Sequence, residues 1–202
     1  MLIDPSDSRP WDAQIAYRLI YPLRNTFVTP NYLTTLRLFF GLLAGFFFSV
    51  GEYLYSNAGA CCFVFSNFLD HADGELARLK NETSIKGHTY DLISDALVNI
   101  FLFIGISIGL IHSSLGFYAL PIGIVAGVSV AAIFYTRNKI EKEIGKNKAR
   151  QPFKSGFEAE DSLYILPIIT YYKLEYYFIT AAAIGAPIFY FFVIRSYLIL
   201  KK

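Results

Sequence analysis

The feature that most constrains this chain is its succession of long apolar segments, at about residues 33–50, 58–79, 87–111, 117–135, 162–172 and 176–200. A helix needs about 20 mainly apolar residues to cross the hydrocarbon core of a bilayer. Six such segments leave little of the 202 residues for anything else, so no separate soluble domain is expected. Hydrophobic side chains make up 54% of the chain, more than a single soluble core of this size would bury. The expected fold is an all-α integral membrane protein, a bundle of six transmembrane helices. The fifth segment is short enough to be tilted or partly buried.

Lysine and arginine collect in cytoplasmic loops of membrane proteins. With six spans and the N-terminus inside, 17 of the 18 basic residues fall on the cytoplasmic side and only Lys173 lies outside. The largest basic block, Arg137, Lys139, Lys142, Lys146, Lys148, Arg150 and Lys154, is expected in the cytoplasmic loop after the fourth span. Both termini are then cytoplasmic. Residues 1–28 mix Asp4, Asp7, Arg9, Asp12, Arg18 and Arg24 with Trp11, Ile15, Tyr17, Leu19 and Ile20, which suits a helix lying in the headgroup layer or an ordinary amphipathic helix in the cytosol. Pro22 should shorten or kink it. This opening has no apolar core of the kind found in a cleavable signal peptide. The expected organisation is therefore an N-terminal interfacial segment, 1–28, followed by a membrane domain, 29–202. A net charge of +2 without a repeating basic and aromatic stripe argues against nucleic acid as a partner. Cys61 and Cys62 are adjacent within an apolar run and read as inert buried thiols.

The second segment departs from a lipid-facing helix, since its cytoplasmic half carries Asp70, His71, Asp73, Glu75 and Arg78. Ionisable residues at such depth are costly and usually mark a site. After a polar link the third segment opens with Gly87, His88, Asp91 and Asp95. Helical spacing puts Asp70, Asp73 and Ala77 on one face, and Gly87, Asp91 and Asp95 on another. An antiparallel hairpin of the two points four carboxylates into one pocket, where uncompensated charge is not tolerated. Two divalent cations would neutralise them, and all-oxygen ligation favours Mg²⁺, then Mn²⁺, over zinc. Gly74 and Gly87 leave room for a ligand to approach the backbone, and Ala77 gives similar clearance. The fork of Arg78 suits phosphate oxygens. Carboxylates, metals and an arginine together form a device for displacement at phosphorus. A purely structural alternative pairs the aspartates with Arg78, Lys80 and Lys86, but it explains neither the glycines nor the spacing. The three histidines, His71, His88 and His112, receive no ligand role.

From Asp70 to Asp95 the chain reads D-x2-D-G-x2-A-R-x8-G-x3-D-x3-D, with all eight fixed positions filled. This resembles the signature of the CDP-alcohol phosphotransferase family, and a chance match is expected on the order of once in 10¹⁰ placements. The stretch from Thr29 to Arg37 is similar to the family's PN-x-x-T segment. The resemblance implies metal ligation by Asp70, Asp73, Asp91 and Asp95, with Asp95 also the general base. It implies nucleotide binding by Gly74 and Arg78, with Asp73, Ala77 and Gly87 beside them, and by Ser84, Asn31 and Thr34. It further implies a CDP-linked lipid donor, a small polar hydroxyl acceptor, CMP as product, a role in phospholipid biosynthesis and a homodimer in the lipid bilayer.

The acceptor is less constrained. One bearing a phosphate, such as inositol phosphate or glycerol phosphate, needs further basic groups, for which Arg137, Arg150, Arg195 and Lys154 are candidates. Anchoring of the spans to anionic lipid explains the same basic residues. The fifth segment opens with Glu158, Glu160 and Asp161, where members using phosphorylated acceptors often carry a basic residue, so serine or a neutral polyol stays open beside the slightly favoured phosphopolyol. Two other classes share the motif's residues: a divalent-cation transporter lined by the four aspartates, and an inactive scaffold. The gathering of aspartates on one hairpin without an internal repeat argues against the first, and the intact Asp95 against the second.

Overall fold

The computed structural model describes residues 11–144 and 163–201, and every described regular element is helical. In chain order they are α1 (Trp11–Ile20), a 3₁₀ turn (Tyr21–Asn25), α2 (Pro30–Val50), α3 (Tyr53–Lys80), α4 (Ile85–Gly109), a second 3₁₀ turn (Gly116–Tyr118), α5 (Ala119–Ile144), α6 (Leu166–Tyr171) and α7 (Glu175–Leu200). Pro22 falls in the first 3₁₀ turn and ends the short α1, as its missing N–H requires. α2 starts at Pro30, in the first turn where proline costs nothing, with Thr29 as its N-cap. Its C-terminus is closed by Gly51 in the left-handed region, φ 75°.

Among the described residues, four helices are long and apolar enough to cross a membrane: Pro30–Val50, Ile85–Gly109, Gly116–Ile140 and Glu175–Leu200. The remaining two of the expected six segments fall short for different reasons. At 28 residues α3 is long enough, but its C-terminal part carries Asp70, Asp73, Glu75, Arg78 and Lys80. α6 has six residues, about 9 Å of helix. The expected basic loop after the fourth span also differs, because α5 runs on to Ile144 and keeps Arg137, Lys139 and Lys142 within the helix. Strong helix formers, the Lys139–Glu143 pair at i,i+4 and burial of Ile133 and Ile140 beside Val193 of α7 carry it past the apolar stretch.

Helices α2, α3 and α4 form the centre, with α5 packed on α4 and α7 on α5. Their shared core includes Ala44, Phe48, Ala60, Phe63, Val98, Leu102, Phe103 and Ile106. Small residues let α2 and α4 meet backbone to backbone: a Cβ on Gly105 would collide with the carbonyl of Gly45, and one on Gly41 with Val98. The apolar face of α1 is covered by protein, with Ala16 and Ile20 packed among Leu33, Leu69, Ala72 and Leu76. α7 turns most of its length outward and buries only Ile179 and Val193. Cys61 is likewise exposed on the outside of α3, against the expectation of burial, while Cys62 is partly covered.

These contacts distinguish two glycines. Gly105→Val should lower the unfolding temperature in detergent, at a cost of about 1–3 kcal/mol or more from overpacking. Gly74→Ala should leave it unchanged or slightly raised, since nothing lies within 4 Å of a Cβ there.

Candidate active site

Three helix ends assemble the site. Lys80, at the C-terminus of α3, donates to the carbonyls of Thr26 and Val28, both at 2.7 Å, and so fixes the approach to α2. Asn81 takes the left-handed conformation, φ 55°, and ends α3. Three residues later Ser84 caps α4 by accepting the N–H of Gly87 at 3.0 Å. This short link returns α4 antiparallel to α3. Asp70 lies ten residues before the end of α3, and Asp91 and Asp95 lie six and ten residues into α4, so all three carboxylates stand roughly 10–15 Å inside the helix ends.

One oxygen from each of Asp70, Asp91 and Asp95 lies within 4.8 Å of the others. Between them sits Arg37 of α2, with only 3% of its side chain exposed. Its Nη1 is 2.6 Å from Asp70 Oδ1 and donates to Asp91 Oδ1 at 2.7 Å, and its Nη2 donates to Asp95 Oδ1. The carbonyl of Arg37 accepts a bond from Ser66 Oγ at 2.9 Å. Asp73, the fourth signature carboxylate, stands apart from this triad and is buried, its Oδ2 accepting from Thr34 Oγ1 at 2.6 Å. One internal cation against four carboxylates leaves the cluster strongly negative. An all-oxygen donor set with that surplus fits hard divalent cations, and Asp70, Asp91 and Asp95 are the residues able to hold one together.

Of the residues expected to hold the nucleotide, Asn31, Ser84 and Gly87 meet at one rim. Asn31 and Ser84 crowd the same side of Gly87: a Cβ there would come within 3.0 Å of Ser84 Oγ and 3.2 Å of Asn31 Oδ1. Gly74 faces open space. Arg78 is 57% exposed and forms an ion pair with Glu75, whose side chain is almost fully buried. Ala77 is half-buried between them. Thr34 is buried with its hydroxyl on Asp73, and Thr35 Oγ1 lies 2.9 Å from the Tyr90 hydroxyl. Among the basic acceptor candidates, Arg137 is half-buried on α5. Gly123 against Ser107 and Gly127 against Ile100 set the α4–α5 register; continued along two antiparallel helices to Arg137, that register would bring it to about the level of Asp91. Arg195 is exposed on α7, while Arg150, Lys154 and the acidic stretch at 158–161 lie outside the described residues.

Two site residues are not marked by the motif. Arg37 carries a clear signal, as the sole charged side chain within α2, where an intramembrane charge points to function. Glu75 occupies a variable position of the motif and is recognisable only as a charge at i,i+3 from Arg78.

The profile of the CDP-alcohol phosphatidyltransferase family matches residues 27–197, a stretch containing all eight signature positions. The chain belongs to that family. Its activity is transfer from a CDP-alcohol donor to a hydroxyl acceptor in phospholipid synthesis, and the family is known for divalent cation use. None of the curated proteins compared with the chain matches it significantly.

The Thr34–Asp73 contact generates a stability prediction. Thr34→Val keeps the shape but leaves a buried carboxylate short of a donor, and should destabilise the protein by about 1–3 kcal/mol, read as a lower unfolding temperature.

Proposed function

We propose that this family member transfers a phosphatidyl group, or its ether-lipid equivalent, from a CDP-linked lipid to a phosphopolyol such as inositol phosphate, releasing CMP at the cytoplasmic edge of the membrane. The observation that carries this reading is the convergence of Asp70, Asp91 and Asp95, with an open face at Gly74 and the exposed Arg78 further along the helix that bears Asp70. Residues 1–28 form the interfacial segment and residues 29–202 the catalytic membrane domain, in which α3 and the α6 region complete a six-span bundle. The positive-inside charge pattern supports cytoplasmic termini and a cytoplasmic site. Two such chains form a homodimer, as family resemblance suggests.

Asp70, Asp73, Asp91 and Asp95 hold two divalent cations, Mg²⁺ or Mn²⁺, whose chemistry when bound is to offset the charge of the donor diphosphate. Arg78 donates to the diphosphate oxygens, and Gly74, with no Cβ, lets the nucleotide lie close to the helix. Asn31, Ser84 and Gly87, with Ala77, Asp73 and Thr34 beneath, frame the cytidine side. Asp95 accepts the proton of the acceptor hydroxyl as that oxygen bonds to phosphorus and the bond from phosphorus to the CMP oxygen breaks. Arg137 supports a phosphorylated acceptor, being a half-buried cation that the α4–α5 register would bring level with Asp91, and Arg150 and Arg195 are its proposed companions.

The test is CMP release by purified protein with Mg²⁺ and CDP-diacylglycerol, screened against inositol phosphate, glycerol phosphate, serine and free inositol. Release dependent on one acceptor and abolished by EDTA establishes the reaction and its substrate. Serine or free inositol as the productive acceptor removes the role given to Arg137. No release from any pair, with CDP still bound, favours a scaffold; no CDP binding leaves a cation transporter.

Two substitutions separate the assigned roles. Asp95→Asn should retain CDP binding and lower CMP release by about 10²–10⁴-fold; normal turnover would exclude Asp95 as base. Arg78→Ala should weaken donor binding by about 10–100-fold through loss of a charge-assisted contact, measured as a rise in donor KM or CDP Kd.

A further inference from the structure

Arg37 is buried within a ring of acidic oxygens that the reaction is proposed to use. It engages Oδ1 of Asp70, Oδ1 of Asp91 and Oδ1 of Asp95 with two terminal nitrogens. Its Nε is buried and has no hydrogen-bond partner among the described residues. An arginine built solely as a structural strut would be expected to satisfy its whole donor fork, because an unpaired buried donor is costly. Here the fork is only partly satisfied, and the attraction of three carboxylates holds it in place. The same three carboxylates are the ones that could hold a cation together.

We propose that Arg37 is an exchangeable counter-ion of the carboxylate cluster, competing with divalent cations for Asp70, Asp91 and Asp95 and so setting how tightly the site takes them. This rests on the reading of the cluster as the metal site. Two effects of removing Arg37 oppose each other. Loss of its positive charge lowers the repulsion felt by an incoming dication, while loss of its contacts lets the carboxylates spread. A dication within a few ångströms of a guanidinium feels a repulsion equivalent to tenfold or more in affinity even when well screened, and carboxylates freed from the guanidinium still converge on a metal. The charge effect therefore prevails, and the arginine moderates metal affinity while holding the helices together.

The test uses full-length protein in detergent, stripped with EDTA and titrated with Mn²⁺ followed by electron paramagnetic resonance, together with thermal unfolding with and without Mn²⁺. Arg37→Gln is expected to bind Mn²⁺ about tenfold or more tightly than wild type, to unfold at a lower temperature in EDTA, and to gain more from Mn²⁺. Arg37→Met, whose unbranched stem preserves more of the packing, should behave alike. A variant that folds only with Mn²⁺ present also supports the proposal, since the metal then replaces the missing charge. Folded variants with unchanged or weaker Mn²⁺ affinity overturn it. So does failure of both to fold with or without Mn²⁺, which would make Arg37 a strut that no cation replaces. A wild-type protein that binds no Mn²⁺ instead removes the metal assignment itself, and this inference with it.

Discussion

One guanidinium draws three helices to a common point. Arg37 belongs to α2, Asp70 to α3, and Asp91 and Asp95 to α4, so the ion pairs are also the inner ties of the bundle at this end. Without a cation the α3–α4 hairpin would bring like charges together in a poorly solvated space, and their repulsion would splay it. The contact depends on how closely α2 and α4 approach. Gly41 on Val98 and Gly45 on Gly105 follow Arg37 along α2 at intervals of about one turn, and the absence of side chains there lets the two backbones touch. Apolar packing at mid-bundle and electrostatics nearer the end are therefore two parts of one helix pair, each making the other's geometry reachable.

The rim shows how local backbone requirements and the proposed chemistry share residues. Ser84 caps α4 and also borders Gly87; Thr34 sits in the first turns of α2 and satisfies Asp73; Glu75 turns inward and ties the exposed Arg78 to its own helix. Much of the polar apparatus is thus already hydrogen-bonded within the protein. Its open features, Gly74 and the Arg78 head, are the ones with little protein around them.

The acidic hairpin was legible because helical periodicity converts spacing into direction. Asp91 and Asp95 at i,i+4 needed no tertiary information to share a face, and Asp70 needed only a short link to meet them. Asp73 shows the limit of that rule. Three residues share a face loosely, and Asp73 Oδ2 accepts from a buried hydroxyl on another helix, that of Thr34. Arg37 escaped the motif because its partners lie 33, 54 and 58 positions on, beyond the reach of any local pattern. Hydropathy likewise found the apolar segments yet misplaced one boundary. It ended α5 where the apolar residues end, although Ile140 packs near Val193 a turn and a half later.

A site written on uninterrupted helices has a particular tolerance profile. Each residue of α-helix advances direction by about 100°, so adding or deleting one residue between Asp91 and Asp95 would swing one carboxylate to another side of α4 while leaving the helix itself intact. An exchange of side chains alters one ligand; a shift in frame misaligns everything beyond it, including the Val98 and Gly105 contacts with α2. A change of length should therefore be least disruptive in the connections between helices, and between Asp70 and Asp95 only residues 81–84 lie outside a helix.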